Sequence, residues 1–360
     1  MIDWTLLPDG GLGWLDASGE CSHLVLSTRV RLARNLAPHR FATRTSDAER
    51  ETVLREVEAA AGDTVTLRRA LVLRLDTMPQ LDRRVLHERH LVSKELAAPE
   101  GGEAPRRAAA VLLGERVGVM VNEEDHLRLQ GMASGLALGG VHEAVSRADT
   151  ELGQRLAFAF HPQFGYLTSC PTNVGTGLRA SVLIHLPGLV LTKEISRVLQ
   201  GLAQVGLTYR GLYGEGSEVV GNFFQLSNQT TLGQSEAELL DHLGRIVGQV
   251  IGHEEKARQI LLRDAPSILE DKVWRAFGLL RHARSLGFEE AMNLLSGVRL
   301  GVGLGLVPDV GMYTINRLLI DTQPAHLAAL AGGPVDEAEL PVRRARHVRE
   351  VLDAEAGRRR

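Results

Sequence analysis

The segment Cys170–Arg179, with the sequence CPTNVGTGLR, combines a thiol, two glycines and an arginine in one loop. A cysteine thiolate can serve as a negative partner for a cation, and glycines let backbone N–H groups approach an anion closely. The loop lacks the Lys-Ser/Thr ending of a Walker A phosphate-binding loop. A buried cysteine in a tight turn would explain the same residues, so this loop alone does not identify a reaction.

Two arginines lie two residues apart in the segment STRVR, at Arg29 and Arg31. On a β-strand, residues two apart project to the same face. Two adjacent guanidinium groups repel each other unless an anion lies between them, and phosphate oxygens would supply that negative charge. A solvated strand face is the ordinary alternative, and the spacing by itself favours it.

Three consecutive acids occur in Asn122–Arg128, which reads NEEDHLR. At the start of a helix, such a run would complement the positive end of the helix dipole. The functional alternative is that one of the three is a catalytic carboxylate held near Arg128. A fourth segment, Arg210–Glu218, reads RGLYGEGSE, and its glycines are typical of a mobile loop that closes over a ligand.

Two further patterns do not support a site of their own. The run GVGLGLV at 301–307 imitates a dinucleotide-binding fingerprint, but it lies in a helical region without the required βαβ unit. His87 and His90 in HERH could be metal ligands, although no third ligand lies nearby in the sequence. Surface or nucleotide-contacting histidines are the interpretation we adopt.

The elements that must position these residues can be predicted from hydrophobic periodicity. We predict a helix over 47–61 with Ser46 or Asp47 as its N-cap, and the segment 179–186 fits either a strand or a helix. The predicted strands cover 23–32, 65–76, 108–122, 166–167 and a pair within 208–229. Further helices are predicted over 123–138, 143–158 and 193–202.

After about residue 235 the pattern becomes helical, with predicted helices over 236–262, 267–286 and 288–295, followed by a highly charged tail over 342–360. We therefore predict two regions: a mixed α+β domain over residues 1–255 and an all-helical C-terminal domain over 256–360. The chain shows no internal repeat of fixed period.

Composition excludes several classes of protein. The 360 residues carry a net charge of -3, so no global basic field would recruit nucleic acid or membrane. Two cysteines cannot form a disulfide framework. Only four of the 41 basic residues are lysines; codon usage is the ordinary explanation, and bidentate recognition of phosphate by arginine is the functional alternative. The N-terminus lacks the features of a signal peptide, and no apolar run reaches the roughly 18 residues of a membrane span, so we expect a cytoplasmic protein.

Taken together, the four segments resemble those of the phosphagen kinases, the guanidino kinases that include arginine kinase and creatine kinase. The resemblance runs from about residue 23 to about residue 230, and pairing NEEDH with CPTN is specific to that family. The segments that show this resemblance are, in chain order, STRVRLARN, NEEDHLR, CPTNVGTGLRAS and RGLYGE.

The order of the helical and catalytic regions along the chain indicates which branch of the family this sequence resembles. Phosphagen kinases carry a helical domain before the STRVR segment, whereas here that segment begins at Ser27 and the helical region follows the catalytic one. This order, with YGEGSE and SNQTTLG, is similar to that of the bacterial protein arginine kinases of the McsB type. The resemblance implies an antiparallel β-sheet flanked by helices, of the glutamine synthetase and guanido kinase type, followed by a helical domain for regulation or dimerisation.

The resemblance also implies roles for single residues. A guanidinium has a pKa above about 12 and is a poor nucleophile while protonated, so a carboxylate must orient it and accept its proton. Glu124 is expected to be that base, Glu215 to hold the other edge of the guanidinium, and Cys170 to add a third negative partner. Arg29, Arg31, Arg128, Arg179 and Arg210 are expected to bind the phosphates of ATP, with His90 on the nucleotide and Mg²⁺ bridging the phosphates.

The complete set of residues expected at the nucleotide includes the neighbours of these arginines along each segment. It consists of Ser27, Thr28, Arg29, Val30, Arg31, His90, Arg128, Arg179, Ala180, Ser181, Val182, Leu183, Arg210, Gly211, Leu212, Tyr213, Gly214 and Glu215.

The expected activity is transfer of the γ-phosphoryl group of ATP to arginine residues of proteins, as a mark for the Clp protease in the stress response. Expected partners are proteins with exposed arginine, a McsA-type activator, the Clp ATPase machinery and a second copy of the chain, but no nucleic acid or membrane. A kinase for free arginine or another small guanidino compound, and a catalytically inactive adaptor, remain the alternatives.

One segment departs from the family pattern. Protein arginine kinases carry an RDxxRA motif in the helical domain that binds phosphoarginine and activates the enzyme. The aligned residues here are Leu340–Ala345, with Leu340 and Pro341 in place of the Arg-Asp pair. Neither can pair with a guanidinium as Asp does, so we expect this allosteric site not to work in its usual form.

Overall fold

The computed structural model describes residues 7–41, 44–97, 105–212 and 219–358. It confirms the predicted α+β class, because an antiparallel sheet is flanked by helices and a helical region follows. None of the helices formed by these residues is both long enough and apolar enough to cross a bilayer.

Within the described residues, eight strands form one antiparallel sheet in the order β2-β3-β4-β5-β1-β8-β10-β9, and β6 and β7 form a separate hairpin. The segment 179–186, left open by the sequence, lies in strand β8. The strands are β1 (Val25–Arg34), β2 (Leu71–Arg74), β3 (Ala110–Leu113), β4 (Val117–Val121), β5 (Leu127–Ser134), β6 (Phe160–His161), β7 (Gly165–Tyr166), β8 (Leu178–His185), β9 (Leu207–Arg210) and β10 (Phe223–Asn228).

The described helices divide into a group before and a group after residue 235. Ser46 caps α1 in a capping box with Glu49, as expected from the sequence. The helices are α1 (Asp47–Gly62), α2 (Gln80–Glu88), α3 (Lys94–Ala97), α4 (Leu138–Gly153), α5 (Pro187–Leu191), α6 (Ile195–Gln204), α7 (Glu236–Asp264), α8 (Pro266–His282), α9 (Phe288–Gly303), α10 (Met312–Asp321), α11 (Pro324–Leu330) and α12 (Leu340–Arg358).

One face of the central strands is apolar and covered by helices. Val30 of β1, Val182 of β8 and Leu226 of β10 are fully buried in a hydrophobic cluster that also contains apolar residues of α1, α4 and α7. Because side chains alternate along a strand, the residues between them must project from the other face. Helix α7 continues through residue 255, where the sequence had placed the boundary between two domains.

The helices after α7 cover the far end of that other face. Leu183 of β8 and Phe223 of β10 belong to a second hydrophobic cluster with apolar residues of α8, α9, α10 and α12. Arg299 of α9 is fully buried beside them and donates to the backbone carbonyls of Ser22 at 2.8 Å and His23 at 3.1 Å, just before β1. The C-terminal helices are therefore anchored to the start of the central strand.

The predicted helix over 123–138 is wrong for all but its last residue, because residues 127–134 form strand β5 and helix α4 begins only at Leu138. Asn122 adopts a positive φ of 58° and its N–H donates to the carbonyl of His126, which closes a turn between β4 and β5. The apolar residues Leu127 and Leu129 alternate along β5 and pair with β1 and β4. The acids lie at a hairpin connection because strand pairing outweighs the local helical pattern.

Arg34, at the end of β1, joins three separate elements. Its guanidinium donates to both carboxylate oxygens of Asp149 on α4, at 2.9 and 2.8 Å, and to the carbonyl of Thr176 at 2.9 Å. It also lies 3.5 Å from the ring centroid of Tyr166 on β7. Arg34 is almost completely buried, so these partners replace the water that it loses.

We expect Arg34→Ala to lower the free energy of unfolding by about 3–5 kcal/mol, because the change leaves the buried Asp149 carboxylate without its partner. Arg245→Ala is the matched control, since Arg245 forms an exposed pair with Asp241 on α7 and should cost less than about 1 kcal/mol. Denaturant unfolding followed by circular dichroism measures both. Equal stability of the two variants would show that Arg34 does not anchor these elements.

Candidate active site

The strand register places the predicted arginines on a common face of the sheet. Directly paired residues of antiparallel strands project to the same side. Arg31 of β1 pairs with Arg179 of β8, and Ala33, two residues after Arg31, pairs with Arg128 of β5. Arg29, Arg31, Arg128 and Arg179 therefore lie on one side of three neighbouring strands.

The same register extends to the edge of the sheet. Leu183 of β8 pairs with Gln225 of β10, and Gln225 pairs with Arg210 of β9. Gln225 also accepts a hydrogen bond of 2.8 Å from Nη2 of Arg29. The arginine face is thus the sheet surface that carries Arg29, Arg31, Arg128, Arg179 and Arg210.

The electrostatics of the arginine face are unfavourable without an anion. Burial and the positive charges of Arg179 and Arg128 lower the pKa of Arg29 to about 10. Burial and the charges of Arg29, Arg128 and Arg179 lower the pKa of Arg31 further. The Nε of Arg31 is buried and has no hydrogen-bond partner among the described residues. An anion on this face would relieve the repulsion.

His90 lies beside this face at the edge of a narrow pocket. It has a positive φ of 59°, its carbonyl accepts from the side chain of Gln130 at 2.8 Å, and its ring packs edge-on against Trp14. Burial and the charge of Arg29 lower its pKa strongly, so the imidazole is neutral. The pocket is lined by Trp14, Ser27, Arg29, His90, Met132, Ser181, Leu183, Leu212 and Gln225.

The other expected nucleotide-contacting residues divide between the two faces. Ser27, Ser181 and Leu183 lie on the arginine face, and Leu212 lines the pocket while Gly211 follows Arg210 directly. Val30, Ala180 and Val182 lie on the opposite face in the apolar cluster. The Thr28 hydroxyl donates to the Gly135 carbonyl at 2.6 Å. Tyr213, Gly214 and Glu215 lie outside the described residues.

The turn between β4 and β5 brings two carboxylates to the arginine face. Arg128 donates from Nη1 to Glu123 at 2.6 Å and from Nη2 to Glu124 at 2.9 Å. Burial disfavours the charged form of Arg128, but the neighbouring carboxylates outweigh this effect and raise its pKa. Arg128 therefore links the positive face to the acidic turn.

Glu124 is the more accessible of the two carboxylates. Its side chain is 42% exposed, whereas that of Glu123 is buried. Burial raises the pKa of Glu124, the charge of Arg128 opposes this shift, and the charges of Glu123 and Asp125 add to it. A carboxylate with a raised pKa and access to solvent has the properties required of a general base.

Asp125 ties the acidic turn to the segment that contains Cys170. Its Oδ1 accepts from the backbone N–H of Ser169 at 2.6 Å and from the side chain of Asn35 at 2.7 Å. Asn35 in turn accepts from the backbone N–H of His126. Because Asp125 follows Glu124 directly and Ser169 precedes Cys170 directly, these bonds place the carboxylate and the thiol on adjoining segments.

Cys170 is a partly exposed, free thiol at the start of a short 3-10 turn, Pro171–Asn173. Its Sγ lies 3.0 Å from the hydroxyl of Thr172. The hydroxyl of Thr231 donates to the carbonyls of Thr172 and Val174, and Arg34 holds Thr176. The loop around Cys170 is therefore fixed by hydrogen bonds from two other parts of the chain.

Three residues of this site were not singled out from the sequence. Glu123 pairs with Arg128, Asp125 positions Ser169, and Gln225 accepts from Arg29. Glu123 and Asp125 lie inside the quoted NEEDH segment, so only their roles were missed. Gln225 is a polar residue between Phe224 and Leu226 in the strand FFQLSN, and this position between apolar neighbours was an available signal.

This arrangement can hold a polyanion on the arginine face while a basic carboxylate faces a second molecule. Buried or half-buried arginines act on phosphate in a setting where water competes weakly. Glu124, at the edge of the same face, could accept a proton from a group that reacts with the bound phosphate. The geometry therefore fits phosphoryl transfer between a nucleotide and a second substrate.

Both halves of the chain match models of known protein families. Residues 52–257 match the model of the ATP:guanido phosphotransferase C-terminal catalytic domain. Residues 266–360 match the model of the protein-arginine kinase McsB C-terminal domain.

Curated relatives match along nearly the whole chain. The protein-arginine kinase of Symbiobacterium thermophilum is 46% identical over 344 residues, which cover 95% of this chain and 96% of the relative. The protein-arginine kinase of Brevibacillus brevis is 45% identical over 342 residues, which cover 94% of each.

Solved structures with a similar fold include lombricine kinase, at 24% identity and a TM-score of 0.57 over 70% of each chain. The duplicated taurocyamine kinase of Schistosoma mansoni, crystallised with components of a transition state analog, matches at 26% identity and a TM-score of 0.58 over 76% of this chain and 41% of that chain. Together with relatives 45–46% identical along nearly all of its length, these matches show that the chain belongs to the ATP:guanido phosphotransferase family and, within it, to the protein-arginine kinases.

Proposed function

We propose that this protein transfers the γ-phosphoryl group of ATP to the guanidinium of arginine residues in other proteins. The observation that carries the proposal is the arginine face, joined through Arg128 to the carboxylate of Glu124. The names of the relatives support the same substrate. The structure adds a physical reason, because the site combines positive charge for a polyphosphate with an acidic edge for a cationic acceptor.

ATP would bind with its phosphates on the arginine face and its nucleoside in the pocket that adjoins Arg29. That pocket mixes apolar walls with the polar side chains of Ser27 and Gln225, and it would have to widen to admit a purine nucleoside. Arg29, Arg31, Arg128, Arg179 and Arg210 would neutralise the charge that moves from the γ-phosphoryl group to the leaving ADP.

In the proposed reaction, a guanidinium nitrogen of the substrate attacks the γ-phosphorus. An N–P bond forms, the bond from the γ-phosphorus to the bridging oxygen breaks, and ADP leaves with its electron pair. Glu124 accepts the proton that the nitrogen loses. Cys170, and Glu215 beyond the described residues, would hold the remaining edges of the guanidinium.

Arg128 gives this site a coupling between its two substrates. In the structure it donates to Glu124, and this contact stabilises the carboxylate in its charged, weakly basic form. Phosphate oxygens would compete for the same guanidinium. Nucleotide binding would therefore draw Arg128 from Glu124 and leave the carboxylate to the substrate arginine.

Mg²⁺ is the implied metal. Among the described residues, no cluster of three or more His, Cys, Asp or Glu side chains is arranged to hold an ion, which fits a cation held chiefly by phosphate oxygens and water. When bound, the ion would offset phosphate charge.

The cellular role extends the proposal beyond the chemistry. We propose that phosphoarginine marks proteins for the Clp protease in the stress response, in the cytoplasm, with a McsA-type activator. Residues 1–255 would then serve as the catalytic domain and residues 256–360 as the regulatory and dimerisation domain.

A kinase for free arginine is the alternative function. It is distinguished by measuring ATP consumption with free arginine and with unfolded casein.

Glu124→Gln should lower kcat by at least about 10²-fold, because the amide keeps the size of the side chain but cannot accept the proton. Calorimetric titration should show nearly unchanged ATP binding. Glu143→Gln is the matched control, since Glu143 forms an exposed pair with Arg147 on α4. Phosphoarginine is measured by mass spectrometry without acid, and label that survives acid would indicate hydroxyl phosphorylation. Full activity of Glu124→Gln would remove Glu124 as the base.

The pH dependence should report the raised pKa of Glu124. The base must be charged, so kcat/KM should fall as the pH drops through a value above that of an ordinary glutamic acid. Glu123→Gln should move the acidic fall in kcat/KM to lower pH, because it removes a negative charge that raises the pKa of Glu124. The amide still offers an oxygen that accepts a hydrogen bond from Arg128. Initial rates are measured with circular dichroism as a control for folding. If the pH at which kcat/KM falls is the same in the variant, Glu124 is not the base that titrates.

Free phosphoarginine should not activate this enzyme. The Arg344 guanidinium already donates to the carbonyls of Thr322 at 2.9 Å and Leu286 at 2.8 Å, and Leu340 and Pro341 offer no carboxylate. Rates are measured over increasing phosphoarginine, with the double variant Leu340→Arg, Pro341→Asp as the restored comparison. Dose-dependent activation of the unaltered protein would contradict the expectation.

A further inference from the structure

The β6–β7 hairpin presents an aromatic surface that no step of the reaction uses. Three of the eight phenylalanines and one of the four tyrosines fall within residues 158–166. Phe160 is 58% exposed and Phe164 is 48% exposed, and no other phenylalanine in the described part of the chain is exposed. No Asp, Glu, Lys or Arg occurs between Arg155 and Arg179. The hairpin therefore has no acidic, lysine or arginine side chains, is aromatic and is open to solvent.

The aromatic side chains form one organised patch. The rings of Phe160 and Tyr166 meet edge to face with centroids 5.3 Å apart, and those of His161 and Phe164 stack at 4.8 Å. Arg34 lies against the ring of Tyr166. We define the hairpin patch as Phe160, His161, Phe164 and Tyr166. Because these rings are held before any partner arrives, binding to them costs little conformational entropy.

The hairpin patch is also rigidly joined to the segment of Cys170. Tyr166 exchanges two backbone hydrogen bonds with Gly175, at 2.7 and 3.2 Å. Ser169, three residues after Tyr166, donates to Asp125, which follows Glu124. At about 3.3–3.6 Å per extended residue, Tyr166 lies at most ~14 Å along the chain from Cys170. The patch and the proposed acceptor site are thus neighbours on one framework.

We propose that the hairpin patch binds apolar side chains of an unfolded protein segment whose arginine occupies the acceptor site. This inference rests on the proposed function and specifies its substrate class. An extended segment would reach the patch with residues roughly three to five positions from the arginine. Folded proteins bury most large apolar side chains, whereas unfolded chains expose them beside arginine. The patch would therefore favour unfolded substrates over folded ones.

The test combines two peptides with variants of the enzyme. Each peptide has one central arginine, and residues three to five positions away on both sides are leucines in one peptide and serines in the other. The native protein should phosphorylate the leucine peptide with a kcat/KM about tenfold higher, mainly through KM, since two aromatic contacts are at stake. In the double variant Phe160→Thr, Phe164→Thr, the two peptides should react equally, at the native rate for the serine peptide.

A control variant separates the patch from exposed apolar residues in general. Val65 and Ile268 are 74% and 73% exposed and belong to other elements, the segment after α1 and helix α8, and Val65→Thr, Ile268→Thr should retain the preference for leucine. Thr keeps the β-propensity of the hairpin, and circular dichroism checks the fold. Equal loss of activity towards both peptides would mean that the hairpin only supports the Cys170 loop, and would overturn the proposal.

Peptide binding without ATP distinguishes failure of the docking proposal from failure of the proposed function. Anisotropy of the labelled leucine peptide should show about tenfold weaker binding to the hairpin variant. If neither peptide is phosphorylated but this difference persists, the proposed function fails and the docking surface stands. If phosphorylation occurs without preference, the docking surface fails. A change in oligomeric state of the variant, by light scattering, would assign the patch to a second copy and overturn the proposal.

Discussion

Repulsion between like charges is the constraint on which this structure depends. Four guanidinium groups, from Arg29, Arg31, Arg128 and Arg179, project from adjacent strands, and their charges destabilise the charged forms of Arg29 and Arg31. Arginines on flexible loops could move apart. Arginines on strands that are paired on both sides cannot, because a shift of register would also expose the apolar residues of the opposite face. The hydrophobic cluster beneath the sheet therefore holds together a site that its own charges oppose.

The acidic half of the site is organised on a different principle. Glu124 lies on a hairpin turn, and the buried carboxylate of Asp125 connects this turn to the segment before Cys170. In the proposed reaction, loops would carry the groups that meet the acceptor, whereas strands would carry those that meet the phosphates. Arg128 belongs to both halves, since it extends from β5 and contacts both glutamates.

Local signals in the sequence were sufficient for much of the fold. The capping box at Ser46 and the periodicity of α7 are determined by neighbouring residues, so both could be predicted. The turn at Asn122 could not, because an acidic run before apolar residues suits a helix until β1 and β4 offer partners. The common face of the arginines also required the strand order, which depends on pairings across the whole chain. Gln225 was missed for the same reason, since its contact with Arg29 spans 196 residues.

The position of α7 and the helices after it has a consequence for how the protein is built. Helix α7 passes through residue 255 without a break, and Leu183 and Phe223 of the sheet are buried by helices beyond it. Heat or denaturant should therefore melt both regions in one cooperative transition. A protease that cuts between them would leave newly wetted apolar surface on each fragment. A replacement helical region would therefore have to match the apolar surface that Leu183 and Phe223 present.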